Sequence, residues 1–305
     1  MVKNIEPYLE HVKGRTYCIV TGYARLPLYK LDDTNVILID SGLHEDGEGI
    51  LACLKKEGLT VKAVLTSHSH IDHVGNHLAL RQTFGAQIYM SLFAAAANAG
   101  PVNLASCLPD FVSYRQLLPM MKEPFQPDEI IDWNSNRITI EGVTFQILHL
   151  PGHDAEHMGF ITPDNVAYLG DVILSEPILR ALRTSYTTCV EPDLASKELT
   201  ATLNCDRYIV AHNGVYDEIH SLALLNRDAQ LEKAAMIEQL ADEYTTLEGL
   251  VAKTLRATGN RLDSVRKISG THHNVSVLVS YLVDVGRLKT RGRDGYLEYI
   301  RADLA

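Results

Sequence analysis

The sequence predicts an α/β protein with mixed strand pairing. Three features predict it. Short β-branched runs alternate with helical patterns over the first two-thirds, two hairpin signals sit in the middle, and the last eighty or so residues are mostly helical in pattern. The chain has 305 residues, 46% hydrophobic and 22% charged, the balance of an ordinary globular protein. At roughly 150 residues per domain, that length makes one large domain or two smaller ones.

The elements follow in order. "TYCIVTG" and "NVILIDSG" are expected strands, and "GEGILACLKKEG" is a helix ended by Gly58 where a left-handed residue is wanted. "VKAVLTS" is a buried strand running into "TSHSHIDHVG"; "HVGNHLALRQTFG" is then a helix closed by Gly85, and "AQIYM" a further strand. Residues 91–130 break the rhythm with alanine-rich, proline-punctuated helical pieces, expected to cover the mouth of a site. "RITIEGVTFQIL" turns at Glu141-Gly142, a two-residue hairpin signal, and "MGFITPDNVAYLGD" turns at Pro-Asp-Asn. A long helix is expected over about 217–242, with Ile219, Leu222, Leu225 and Ala229 on one face. "TTLEGLVAKTL" opens with Thr245 and Glu248 at capping-box spacing. "NVSVLVSYLVDVGRL" is an apolar helix stopped by Gly286, and a hairpin turned at Asp294-Gly295 completes the chain. Helix, helix, helix and two-stranded wing is a winged-helix order. The expected units are therefore a catalytic domain over 1–224 and a winged-helix-like domain over 225–305.

Net charge is −10, which argues against a general nucleic-acid binder held by phosphate contacts. No apolar run is long enough to span a bilayer, and the N-terminal stretch lacks a signal-peptide core. Five scattered cysteines without CxxC spacing read as reduced thiols, so the cytoplasm is the expected compartment.

"TSHSHIDHVG" places His68, His70, Asp72 and His73 within six positions. In extended chain, His68 and His70 point the same way and can close on one metal, while Asp72 and His73 face a second position. Imidazole suits zinc and similar metals, and a set of three protein ligands leaves a place for water, as catalytic sites do. The missing partners sit after later apolar strands: His153 in "LHLPGHD", Asp171 in "AYLGD" and His212 in "IVAHN", with Asp40 in "ILIDSG" at an equivalent place. The plain alternative for the cluster is a solvent-facing histidine-rich loop. His149 reads as structural, His157 as an ordinary residue in preference to a contact behind the ligands, and His77 as a helix-face residue. The pair His272-His273 reads as a helix-start cap. Tyr114, Arg115, Arg183 and Tyr186 are candidate substrate contacts. Arg287, Lys289, Arg291 and Arg293 read as a solvated hairpin or a dimer contact in preference to a nucleic-acid surface.

These five ordered motifs, over about residues 15–220, resemble those of the metallo-β-lactamase superfamily. The resemblance implies an αββα sandwich. It implies one metal on His68, His70 and His153, a second on Asp72, His73 and His212, Asp171 bridging both, and Asp40 orienting from behind. The tail is similar to that of a subgroup that includes endoribonucleases and thioesterase-like enzymes; glyoxalase II shares the metal motifs. True β-lactamases generally lack the bridging aspartate. The expected activity is metal-dependent hydrolysis of a thioester, phosphodiester or other ester-like bond by a metal-bridging hydroxide, with Asp72 and Asp171 accepting protons. Two divalent cations are expected, zinc first, with iron and manganese as alternatives. The substrate would be a small molecule or derived from nucleic acid. No membrane partner is expected, and the tail would pack on the catalytic part or on a second copy of the chain. The rival readings are a mononuclear-iron sulfur dioxygenase on the same fold and a winged-helix nucleic-acid-binding regulator.

Overall fold

The computed structural model describes residues 5–107, 124–182, 186–212, 214–259, 263 and 265–305, apart from the side chains of 265–267. Two sheets lie face to face. β1 (Tyr8–Lys13), β2 (Thr16–Val20), β3 (Arg25–Lys30), β4 (Asn35–Ile39), β5 (Thr60–Leu65), β6 (Gln87–Met90) and β7 (Glu129–Ile130) form a seven-stranded sheet in chain order. Its pairings are antiparallel up to β4 and parallel beyond it. β8 (Arg137–Ile140), β9 (Val143–His149), β10 (Met158–Ile161), β11 (Val166–Tyr168), β12 (Arg207–Val210) and β13 (Gly214–Tyr216) form the second sheet, ordered 13-12-11-10-9-8. Only β11 and β12 pair in parallel there.

β4 shows why the sheets stack. Ile37 and Ile39 face inward with Leu65, Phe145, Ile147, Phe160 and Tyr168, forming the core between the sheets. Val36 and Leu38 face outward and are covered by Ile50 and Leu54 of α1 (Gly47–Lys56) and Leu80 of α3 (His77–Phe84). Covered on both faces, such a strand reads as a continuous apolar run. On the far side of the second sheet, Tyr208 and Val210 pack with Ile219 and with Ala223 of α8 (His220–Leu240). The layers are helix, sheet, sheet, helix, as the expected αββα sandwich requires. The Glu141-Gly142 and Asp294-Gly295 turns have positive φ at both positions, 50° and 76°, and 50° and 81°, as the short hairpin signal demands.

The remaining helices are α2 (Ile71–Val74), α4 (Leu92–Asn98), α5 (Pro101–Cys107), α6 (Glu176–Ala181), α7 (Val190–Ala201), α9 (Leu247–Ala257) and α10 (Val265–Asp284). α9, α10 and a small sheet ordered β14 (Thr245–Thr246), β16 (Tyr296–Arg301), β15 (Leu288–Arg293) make the C-terminal part. Leu250, Val251, Val275, Leu278 and Leu282 share one core with Ala234 and Ile237 of α8 and Val190 of α7. The expected boundary at 225 therefore falls inside α8, whose first turns pack on the second sheet and whose last turns pack on the C-terminal core. Among the described residues, no helix is long and apolar enough to cross a membrane.

Several local expectations change. The helix after the histidine cluster is broken, because Asn76 turns its amide onto the carbonyls of Ser41 and Leu43, each at 2.7 Å. The α9 cap is Thr246, not Thr245; its hydroxyl accepts the Gly249 N–H at 3.2 Å. Leu225 is exposed, and the buried stripe of α8 runs through Ala223, Asn226, Gln230, Ala234 and Ile237 instead. Asn226 enters that stripe because it fastens the Leu174 backbone, accepting its N–H and donating to its carbonyl, both at 2.9 Å. α10 starts well before Asn274, so His272 and His273 lie mid-helix rather than at a cap. β1 and β3 are strands beyond those expected. β1 is an edge strand of mixed exposure whose residues carry no clean alternation. The "LPDFVSYRQLLPMM" cover, with Tyr114 and Arg115, and Arg183 lie outside the described residues.

Candidate metal centre

The candidate ligands and Asp40 gather where strands of both sheets end. β4 delivers Asp40, β5 the 66–73 loop, β9 the turn to His153, β11 Asp171, and β12 His212. Strand ends suit this role because the backbone there leaves the ladder while the sheet still fixes its position. His68, His70, His153 and Asp171 have ligand atoms within 4.8 Å of one another, and so do Asp72, His73, Asp171 and His212. Asp171 belongs to both sets. All seven expected ligands are thus brought together, in the expected grouping.

The contacts between these atoms are not those of a self-satisfied polar core. Asp171 Oδ1 lies 3.3 Å from His212 Nε2 and 3.5 Å from His73 Nε2, while its Oδ2 lies 3.6 Å from His153 Nε2. Asp72 Oδ2 lies 3.4 Å from His212 Nε2 and 3.8 Å from His73 Nε2. His68 Nε2, His73 Nε2 and Asp171 Oδ1 are buried without a hydrogen-bond partner. Buried polar atoms are nearly always paired, and orphaned lone pairs converging from two directions are what a cation requires. The donor set of imidazole and carboxylate suits zinc, iron or manganese. The residues fit the expected metals.

Charge points the same way. Burial alone would keep His73 and His212 neutral, but the Asp171 carboxylate, with Asp40 and Asp72 beside His73 and Asp72 beside His212, holds both well above the usual histidine range. Burial and neighbouring imidazoles hold His68 and His153 well below it. Burial would raise Asp171, yet His212 and His73 keep it ionised. Three carboxylates therefore demand positive charge at one point, and imidazoles that shed protons easily offer lone pairs beside it.

Behind the ligands lies a second set of hydrogen bonds. Asp40, fully buried and at φ 60°, accepts from Ser67 N–H at 2.7 Å, Ser67 Oγ at 2.6 Å, His73 Nδ1 at 2.7 Å and the Tyr168 hydroxyl at 2.7 Å. Burial opposes its charge, but His73 and the Ser67 donors hold its pKa below the ordinary value. Fixing the far nitrogen of a ligand histidine sets its tautomer and aim. Ser67 also faces His68 Nδ1 at 2.9 Å, and His212 Nδ1 donates to the Tyr23 carbonyl at 3.2 Å. Asp154 anchors the Ser69 N–H at 2.7 Å. His77, expected on a helix face, is fully buried between the hydroxyls of Ser41 and Thr66, both at 2.7 Å. His149 is structural, donating to the Ser135 carbonyl at 2.9 Å beside Trp133.

His157 lies beneath the cluster and accepts the Asp171 N–H at its Nε2, at 3.1 Å. Its ring leaves room only for glycine opposite. A Cβ on Gly170, whose φ is +52°, would stand 2.5 Å from that Nε2. Gly170→Ala is expected to cost about 1–3 kcal/mol, read by urea unfolding, and to lower metal affinity by moving Asp171. Unchanged stability and metal binding would show that the loop yields freely.

Ser67, Asp154, Tyr168 and Tyr23 were not singled out from the sequence, and His273 was read only as part of a helix-start cap. Tyr168 carried a weak signal, an inward position on the strand that leads to Asp171. Tyr23 and His273 carried none, since their neighbours in space are distant in sequence.

The sandwich and its paired His/Asp sets define a class, that of metal-dependent hydrolases. The family model for the metallo-beta-lactamase superfamily matches residues 28–212, and the chain belongs to that superfamily. Hydroxyacylglutathione hydrolase GloC of Haemophilus influenzae is 34% identical over 191 residues, 62% of this chain and 84% of that one. A lactamase-like protein of Pestalotiopsis microspora is 24% identical over 295 residues, 93% of this chain and 76% of its own length. The crystal structure of a metallo-beta-lactamase family protein from Thermus thermophilus shares the fold. Its TM-score is 0.70, with 17% identity and 97% of both chains covered.

Proposed function

We propose that this protein hydrolyses a thioester with two divalent cations, zinc foremost. One is held by His68, His70 and His153, the other by Asp72, His73 and His212, and Asp171 is shared. The observation that carries the reading is the shared carboxylate: Asp171 is a member of both ligand groups. Support for the thioester comes from the relative named hydroxyacylglutathione hydrolase, whose substrate by that name is a thioester. Divalent cations bound there supply Lewis acidity and a strong nucleophile near neutral pH. The protein's own part is positional. Asp40 and Ser67 set the imidazoles of His73 and His68, and Asp154 holds the turn between His68 and His70. Asp72, whose side chain is more exposed than that of Asp171 (17% against 8%), receives the proton from the attacking water on the solvent side, and Asp171 does so between the two sets.

The deciding assay is a panel of thioesters, phosphodiesters and lactones, with thioesters expected to be cleaved fastest. Preference for phosphodiesters would overturn the thioester assignment. Elemental analysis of chelator-free protein should approach two metals per chain, and His212→Ala should lower that towards one. Content fixed at one in both would remove the second site.

We infer that 225–305 is a winged-helix-like unit for substrate access or assembly, a reading its charges support. Arg287 pairs with Glu238 at 2.8 Å, Arg291 with Glu298 at 2.7 Å while lying over the Tyr244 ring, and Arg293 with Asp294 at 3.5 Å. Three of the four basic residues are thus engaged by this chain's own acids. Replacing Arg287, Lys289, Arg291 and Arg293 together by alanine should change hydrolysis of a small thioester less than about twofold, since exposed pairs contribute little. A large loss confined to RNA or DNA substrates would revive the nucleic-acid reading.

A further inference from the structure

The C-terminal part comes much nearer to the candidate metal ligands than its lack of ligand motifs suggests, and it does so through one aromatic pair. Tyr186 lies just before α7. Its ring centroid is 5.2 Å from that of His70 and 5.4 Å from that of His153, edge-on to both. On its other side it stacks on His273 of α10, at 4.9 Å and 18°. His273 is only 5% exposed, and its Nε2 donates to the Thr187 carbonyl at 3.0 Å. Thr187 and Thr188 in turn bond the Gly152 carbonyl through their hydroxyls, both at 2.8 Å, and the Thr188 N–H does so at 2.7 Å. Gly152 has no freedom to move away, because a Cβ on it would stand 2.3 Å from Asp193 Cα. α10, Tyr186 and the turn carrying His153 are therefore fastened as one block.

Tyr186 is half-buried, and a purely structural tyrosine usually pairs its hydroxyl within the protein. Tyr186 has none among the described residues, whereas Tyr168 donates to Asp40 and Tyr208 to the Leu203 carbonyl. An ordinary phenol keeps its proton at neutral pH. The result is a fixed donor beside the imidazoles of one ligand set.

We propose that Tyr186 is a substrate-contacting residue whose phenol donates a hydrogen bond to the acyl oxygen of the bound ester, and that His273 is the positioning residue holding its ring in place. This rests on the thioesterase reading and adds to it a role for the C-terminal helix, which builds one wall of the site. Donors aimed at an acyl oxygen count most when charge develops on it, so the effect belongs in kcat more than in KM.

The test uses the full chain loaded with zinc. Tyr186→Phe keeps the ring and removes only the hydroxyl. It should retain metal content and melting temperature, lose roughly 10²-fold in kcat on a small acyl thioester, and leave KM near that of the parent. It should also bind a non-hydrolysable ketone analogue, with methylene replacing sulfur, about tenfold more weakly by calorimetry. His273→Ala should lower kcat, and His273→Phe, which restores a ring for stacking, should recover most of it. If Tyr186→Phe keeps kcat and analogue affinity within about twofold, the contact is absent. Loss of metal or early melting in Tyr186→Phe would make the hydroxyl structural and also overturn the proposal. The two readings fail separately. A parent protein that cleaves no thioester sinks the thioesterase assignment, yet weaker analogue binding by Tyr186→Phe would still uphold the contact.

Discussion

Asp171→Ala is expected to lose at least ~10³-fold in kcat/KM, about 4 kcal/mol of transition-state stabilisation, while the sandwich stays folded. The carboxylate lies 3.3 to 3.6 Å from the Nε2 atoms of His212, His73 and His153. On the two-cation reading proposed above, removing it would delete a ligand from both sets and leave the cations without the charge that offsets their repulsion. Circular dichroism and elemental analysis should report a native spectrum with metal lost from both positions. Retention of most activity would mean that the shared carboxylate is not what joins the sites.

Asp40→Ala is expected to show the largest loss of stability, roughly 3–5 kcal/mol, the cost of breaking a buried charge pair. Four donors converge on this carboxylate, and all become unsatisfied at once. His73 would also lose the bond that aims it, weakening metal binding by about 10–100-fold. The sign of the pH effect follows from the direction of the pKa. The folded-state value of Asp40 lies below its unfolded value, so its contribution is complete above the ordinary carboxylate range and disappears as pH falls through the folded value. Melting curves of the parent and Asp40→Ala should therefore differ most near neutrality and converge in acid. A constant difference across that range would show that packing, not the charge, is what Asp40 supplies.

The C-terminal part carries a different expectation from the one its composition invites. None of the expected ligands lies in 225–305, which by itself suggests a unit apart from the chemistry. Yet α10 places His273 against Tyr186, which touches the rings of His70 and His153. The wing and the helix of the same region thus have separate consequences: neutralising the wing should leave small-substrate hydrolysis alone, and disturbing His273 should not.

What could be read from the chain was the chemistry that depends on residue type and short spacing. His68, His70, Asp72 and His73 are neighbours in sequence, and His153, Asp171 and His212 each follow an apolar strand. Strand ends in stacked sheets meet at a common edge, so strand-end position was enough to predict which side chains converge. The layers were implied by the resemblance of the motifs, and the continuous apolar runs of strands covered on both faces agree with it. Contacts between distant segments were not legible. The Tyr168 hydroxyl on Asp40, His77 between two hydroxyls, and Asn226 on the Leu174 backbone depend on register and side-chain direction that no local period encodes. The buried stripe of α8 passes through Asn226 and leaves Leu225 outside, because the Asn226 amide's bonds to the Leu174 backbone outweigh a leucine's preference for burial. Sequence by itself determined the candidate ligand types and the alternation of strands and helices, and the resemblance of its motifs implied the order of the layers. Tertiary structure alone decided how each ligand is aimed and which wall stands beside it, because aim is set by hydrogen bonds and ring contacts between segments far apart in the chain.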